Sequence, residues 1–504
     1  MDATKVSAEE DPTSWSSFRR LWASSATSNL SDGVLRTAVP LLAVALTRDP
    51  LLIAGLTVAQ YLPWLLLTLW SGVVTDRYDR RTLLVIGNGV RAIAIAGFAV
   101  ALFAGAQSIW LLYVAVFLVG ACETAVDNAS LVALPRLVGK NNLDRANGRI
   151  VATQSVVDRL VGPPLGAGLF ALSAVAALVT GSALFAVAAI AAALLPSLRP
   201  RARDASAAHN SFHHELTEGL RFFWRTKVLR EAAFVSANIN FWGTATGAVL
   251  ILLLTDQYGL DPIGYGIVLS IGAIGGIVGA LLSARIIRLI GPGTVLALVG
   301  FVEAINFAAL GTFTIPLIAT AALGLGAFMA TSSQVVVSSL RQAAIPDHIL
   351  GRVTSAYRLI VLGVVPLGAA TGGVIATMFQ IDTVYYVSAA GMLAGAILSL
   401  VRLPNGTIRS AMEGHLQQIR PDQNRIPHHH NTHSVTVATT ARTQGSPCGR
   451  SMPAWTGMRG RLTCLAALVG FASSRRSPER MRRAASILQW FWLWHSTASR
   501  PRHA

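Results

Sequence analysis

From Leu21 to Pro404 long apolar runs alternate with short polar or Gly/Pro-containing breaks. Each run is about as long as the roughly 20 residues a helix needs to cross a bilayer. Twelve spans are predicted, over about 20–46, 51–75, 82–104, 108–134, 147–171, 174–196, 229–255, 262–290, 294–313, 315–344, 352–379 and 382–402. Hydrophobic residues make up 53% of the chain, charged residues 13%, and the mean hydropathy is +0.54. That balance excludes a water-soluble domain with a polar surface and predicts an all-α membrane protein embedded in the lipid bilayer.

Charge adds orientation. Arg77, Arg80 and Arg81 follow span two, Arg136, Lys140 and Arg145 follow span four, and Arg199, Arg201, Arg203, Arg221, Arg225 and Lys227 follow span six. Arg285 and Arg288 close span eight and Arg341 closes span ten, whereas the opposite loops offer little beyond Arg48. Because retained loops carry the positive charge, even-numbered spans are expected to exit into the cytoplasm, with both termini there. The first residues, with Asp2, Glu9, Glu10 and Asp11, lack the apolar core of a cleavable signal.

The net charge is +17, of which residues 405–504 supply fourteen arginines against Glu413, Asp422 and Glu479. This Arg/Ser/Pro/Thr-rich tail is expected to be disordered, and the remaining positive charge fits cytoplasmic loops, so no nucleic-acid partner is implied. Cys122, Cys448 and Cys464 form no disulfide framework. No metal site or cofactor is expected: His428, His429, His430 and His433 lie in the tail, and the histidine nearest a span is His348, in a loop. A histidine proton relay inside the membrane is thereby excluded.

The chain is doubled. Asp49-Pro50 recurs as Asp261-Pro262, Ser71 as Ser283 and Thr82 as Thr294, all at one offset, and Pro164-Leu165-Gly166 recurs as Pro366-Leu367-Gly368. Gly-Arg pairs, Gly148-Arg149 and Gly351-Arg352, precede the latter two. The expected organisation is an N-terminal segment 1–19, a six-helix bundle 20–196, a linker 197–228, a second six-helix bundle 229–404 and the tail 405–504. The end of the linker, with Phe222, Phe223 and Trp224, is expected to lie against lipid.

Between spans two and three stands "GVVTDRYDRR", residues 72–81. It resembles the G-x-x-x-D-R-x-x-R-R loop of the major facilitator superfamily, matching at Gly72, Asp76, Arg77, Arg80 and Arg81. With the doubled six-span pattern the resemblance covers about residues 18–404 and implies twelve transmembrane helices in two pseudo-repeat bundles. It also implies a cytoplasmic gate in which Asp76 meets span eleven, near Arg352. The second copy carries Arg288 where the repeat puts Asp76. Segments such as "TEGLRFFWRTKVLREAAF" most resemble the bacterial efflux branch that includes enterobactin exporters and macrolide-efflux proteins. Span five, "RLVGPPLGAGLFAL", is similar to the superfamily's antiporter motif at Gly162, Pro163, Gly166 and Gly168, although the arginine many drug/proton antiporters carry early in span four is missing.

Ionisable groups inside the hydrocarbon are costly and therefore functional candidates. Asp32, Glu123 and Asp127 are the expected proton carriers, with Arg36, Arg91, Asp158, Arg159, Glu303 and Arg358 in support. Asp32 and Arg36, spaced i,i+4 on one face, are placed to neutralise each other or share a proton; the alternative reading makes Asp32–Arg36 and Asp158–Arg159 structural ion pairs that fix helix packing. By the resemblance, spans one, four, seven and ten line a substrate cavity with Asn238, Asn240, Trp242, Ser333 and Gln334. The reading is a monomeric proton-gradient-driven exporter of amphipathic drugs or siderophore-like molecules in the inner (cytoplasmic) membrane. A solute-uptake symporter has the same fold, and an intramembrane enzyme lacks motifs to support it.

Overall fold

The computed structural model describes residues 15–138, 142–198, 220–346 and 349–411, without the side chains of residues 68–77. The expectations for His348, most of the linker and the tail from 412 onward lie outside these residues.

Twelve helical spans are present among the described residues. The N-terminal six are α1 (Trp15–Leu46), α2 (Pro50–Arg77), α3 (Arg80–Phe103), α4 (Ile109–Val138), a three-piece α5 and α6 (Ala174–Ala193). The second six are α7 (Lys227–Leu252, running on as a π-turn, Leu253–Gln257), α8 (Pro262–Ile290), α9 (Pro292–Thr312), α10 (Pro316–Ala344), α11 (Leu350–Met378) and α12 (Ile381–Arg402). Eleven are long and apolar enough to cross a membrane. The exception is α5, which has α-helical pieces Leu143–Gln154 and Gly162–Leu172 joined by a π-segment, Ser155–Val161. Pro163 and Pro164 have no N–H to give to carbonyls one turn back. The ladder widens ahead of them, and the Gly162 N–H reaches Val157 O, five residues earlier.

The sequence repeat is a packing repeat. In the first bundle α2 packs on α4, α3 on α6, and α1 on α5 and α6; in the second α8 packs on α10, α9 on α12, and α7 on α11 and α12. Asp261 caps α8 by accepting from Gly264 N at 2.8 Å, and Asp49 accepts from Leu51 N at 2.9 Å as α2 starts, each just before a proline at the first helical position. The Pro-Leu-Gly copies make the same contact. A methyl added at Gly166 would lie 2.3 Å from the Val34 carbonyl oxygen of α1, and one at Gly368 would lie 2.3 Å from the Phe241 carbonyl oxygen of α7. Only a residue without Cβ lets these backbones approach so closely.

The halves meet along α2–α11 and α5–α8, a pair of contacts exchanged by the same repeat. Close approaches gather toward the α1–α2 loop: Gly373 sits against Leu51 and Ala54, Gly266 against Pro163 and Ala167, and Arg48 pairs with Asp256.

Two boundaries and one burial differ from expectation. Helix α1 starts at Trp15, inside the expected N-terminal segment. Phe223, expected on lipid, is buried among Leu229, Val295 and Tyr357, while its neighbour Trp224 is exposed. Residues 405–411 form a further helical turn rather than tail, because the Asn405 side chain accepts from Gly293 N and Thr294 N at 2.8 and 3.1 Å and donates to Thr294 Oγ1 at 2.8 Å.

Candidate functional site

The first bundle holds a set of charges centred on α1. Asp32 and Arg36 share a helix face but do not pair with each other, contrary to the i,i+4 expectation. Asp32 pairs with Arg91 of α3, and Arg36 with Asp158 in the π-segment of α5. Arg91 is 1% exposed. It donates to Ser28 Oγ at 2.9 Å and lies 4.0 Å above the Phe185 ring of α6, so a hydroxyl and an aromatic face share the charge that Asp32 balances. Arg36 donates from Nη2 to both Asp158 oxygens at 2.9 Å and from Nε to Oδ1 at 3.3 Å, so two guanidinium nitrogens meet the carboxylate. Arg159, the expected partner of Asp158, stands 4.0 Å away and largely exposed. Helix α1 is thus tied by opposite charges to α3 on one side and to α5 on the other.

Asp32, Arg36 and Glu123 line one cavity of about 150 Å³ with Gln60 and Tyr61 of α2 and Tyr265 of α8, so both bundles contribute to its wall. Asp127, one turn beyond Glu123 on α4, is exposed. Sequence reasoning passed over Gln60, Tyr61 and Tyr265; the adjacent Gln-Tyr pair inside an apolar run was a legible signal. The closeness of α1 to α5 behind the cavity depends on glycines, since a methyl on Gly162 would lie 2.5 Å from the Gly33 Cα. Gly168, from the same motif, has open space around it.

A second cavity, about 380 Å³, gathers Asn240, Ser333, Gln334 and Arg358 with Trp64, Arg341 and Tyr357. The Arg341 guanidinium sits 4.4 Å over the Tyr357 ring, whose hydroxyl donates to Ser236 Oγ at 2.7 Å. Asn238 and Trp242, expected in the substrate cavity, turn instead to α12: Asn238 packs at Gly395 and Trp242 at Gly391. They lie on the face of α7 opposed to α12, where small residues leave room for bulky ones. Glu303 of α9 lines a third cavity, of about 330 Å³, within the second bundle.

The side chains of Asp76 and Arg77 and the surroundings of Gly72 lie outside the described residues, so the expected meeting of Asp76 with Arg352 is not described. The rest of that loop is a joint. Asp79 caps α3, accepting from Arg81 N at 3.0 Å, and also accepts from Leu198 N at 2.9 Å and Ser197 Oγ at 2.7 Å. Arg80, 1% exposed, donates to Leu198 O at 3.2 Å. Asp79, not singled out from the sequence, therefore fixes the departure of the chain from α6. An acid just before a helix is a legible capping signal.

Twelve spans among the described residues, in two like bundles with one member of each of two inter-helix ion pairs, Asp32 and Arg36, lining a cavity between them, define a transporter of the major facilitator fold. The family model described as "Transmembrane secretion effector" matches residues 8–426, and the chain belongs to that family. The chain is 24% identical over 392 residues to the enterobactin exporter EntS of Shigella boydii serotype 4 (strain Sb227), covering 76% of this chain and 91% of that protein. To the enterobactin exporter EntS of Salmonella choleraesuis (strain SC-B67) it is 26% identical, covering 76% and 92%. Among solved structures, a variant of the nucleoside transporter NupG superposes with a TM-score of 0.65 at 13% identity, covering 77% of this chain and 100% of the other. A bacterial homologue of the iron transporter ferroportin in an inward-facing state superposes with a TM-score of 0.59 at 17% identity, covering 77% and 98%. These likenesses concern the fold.

Proposed function

We propose that this chain is a proton-coupled exporter, exchanging protons for amphipathic drugs or siderophore-like molecules across the cytoplasmic membrane by alternating access. The observation that carries the reading is the Asp32–Arg91 pair: a carboxylate that lines a cavity bounded by both bundles, balanced by a cation buried behind it. A carboxylate leaving water favours its proton, and a nearby cation favours release. Asp32 has both influences within reach, and rocking of the bundles would alter their balance. A proton arriving on Asp32 neutralises it and loosens Arg91. Reopening to the other side lets Arg91 draw the carboxylate back and expel the proton. Glu123 lines the same cavity and is the next carrier, with Asp127 one turn beyond it on α4, while Arg36–Asp158 couples the movement of α1 to α5.

Export rather than uptake is supported by the enterobactin exporters among the relatives and by the Gly/Pro-rich fifth span. The Arg/Lys bias of the loops sets both termini inside. In that orientation the contacts between the halves near Arg48–Asp256 lie at the outer end. No cofactor enters the cycle.

The test uses everted vesicles containing the full chain, energised to form a proton gradient and offered catecholate siderophores, macrolides and dyes. At least one compound is expected to accumulate in a gradient-dependent way and to draw protons out as it enters. Accumulation indifferent to the gradient, or absent for every compound, contradicts the reading.

A further inference from the structure

The repeat that brings Ser71 onto Ser283 and Thr82 onto Thr294 brings Arg91 onto Glu303. The two bundles therefore bury opposite charges at one position. In the first, the cation has its counter-ion on α1. In the second, the anion has none: Glu303 is 8% exposed, makes no ion pair among the described residues, and faces a chamber to which α7 contributes only uncharged side chains. Asn306, one turn along α9, is 6% exposed, and its side-chain amide is the polar group beside the carboxylate.

The chamber measures about 330 Å³; apart from Glu303 and the uncharged polar side chains of Asn240, Thr244, Thr246 and Asn306, its remaining walls are apolar and aromatic, including Phe307, Tyr385 and Met392. It shares Ile239, Asn240 and Ala330 with the cavity at Trp64 and Arg358, so it is a side room of the space between the bundles. A bare metal ion needs a cage of several oxygens, and the described residues contain no group of three or more His, Cys, Asp or Glu side chains. One carboxylate among aromatic faces and apolar walls suits a bulky organic monocation, whose charge meets the acid while its body fills the room. Gly326 keeps that room open, because a methyl there would lie 2.9 and 3.1 Å from the two Glu303 oxygens.

We infer that Glu303 and its chamber form a binding site for organic monocations, the ligand supplying the positive charge that Arg91 and Asp32 supply to each other in the other bundle. The inference rests on the exporter reading for its view of the ligand as substrate, and its test is kept independent of transport. Binding of radiolabelled tetraphenylphosphonium to the purified full chain in detergent is measured at equilibrium, without a gradient, with neutral Nile red as the control ligand. Saturable binding is expected in the unaltered protein. Losing a charge-assisted contact in a buried site is expected to weaken it at least about tenfold in Glu303→Gln, with Glu303→Asp retaining part of it and Nile red unaffected.

Should Glu303→Gln fail to fold, Gly326→Ala serves: it keeps the charge, crowds it, and is also expected to weaken tetraphenylphosphonium binding. Absence of saturable binding, or equal binding in Glu303→Gln, overturns the site. Binding lost with Glu303 but no export of any compound would overturn the exporter reading and leave the site standing. Export of other compounds without tetraphenylphosphonium binding would do the reverse.

Discussion

The two bundles share a scaffold and differ in their electrostatics. Asp-Pro helix starts and Pro-Leu-Gly contacts recur with the same geometry, down to a glycine facing a carbonyl at equal distance on α1 and on α7. The buried charges do not recur. Ion pairs tie α1 to α3 and α5 in the first bundle; in the second Arg402 of α12 pairs with the buried Glu231 of α7 at 3.1 Å, while Glu303 stands in its chamber with no ion pair among the described residues. Backbone contact was conserved through the duplication because two helices cannot approach without it, while a buried charge needs only a partner of some kind, from the protein or from a ligand.

The sharpest way to break this comparison is to remove one charge from each bundle. Arg91→Ala strands Asp32 and is expected to cost about 3–5 kcal/mol, read as a large drop in thermal stability in detergent. Asp32→Asn alone likewise leaves Arg91 short of its counter-ion, so the paired change Asp32→Asn with Arg91→Gln is expected to recover most of that stability. Glu303→Gln strands nothing and is expected to be neutral or stabilising. Similar losses for Arg91→Ala and Glu303→Gln would contradict the asymmetry.

The shared scaffold predicts a symmetric result. Gly166→Ala and Gly368→Ala each force a methyl against a carbonyl, and both are expected to lose about 1–3 kcal/mol by overpacking. Gly168→Ala, in open space, is expected to be neutral or to gain up to about 1 kcal/mol of helix propensity. Melting curves of the three variants distinguish packing from mere motif membership.

Smaller effects belong to the ends. Asp79→Ala removes the cap of α3 and the anchor of Leu198, for an expected cost of about 1 kcal/mol or somewhat more. The second bundle has no acid at the corresponding helix start: Gly291 precedes Pro292 there at φ +89°, and an added Cβ would lie 2.4 Å from Asn405 Oδ1, so that position is held by its lack of a side chain rather than by a cap. Arg48→Ala breaks a partly exposed pair and is expected to cost under about 1 kcal/mol, with reversal of the two charges, Arg48→Asp with Asp256→Arg, restoring it. A double-mutant cycle on melting temperature measures that coupling.

Much of the scaffold was legible in the sequence because its signals are local. The apolar runs, the aspartate-proline starts and the proline pair that breaks α5 each act within a turn or two of their own position. The pairing of charges was not. An i,i+4 spacing puts Asp32 beside Arg36, but the partners come from α3 and α5, and only the packing order around α1 puts Arg91 and Asp158 within reach. Asn238 and Trp242 failed as cavity residues for a related reason: their place on α7 was legible, while the face that α12 covers was not. Phe223 looked lipid-facing from composition, yet the turn before α7 folds it beneath α11 and α9.

The central claim is that a proton on Asp32, held against Arg91, drives export. Its most direct test is proton counterflow in proteoliposomes containing either the unaltered chain or Asp32→Asn with Arg91→Gln, using a compound the unaltered chain exports and a trapped pH-sensitive dye. The account predicts that the compound and protons move in opposite directions through the unaltered chain, and that the double variant, folded and still binding the compound, moves neither against a gradient. Undiminished counterflow through the double variant would contradict it.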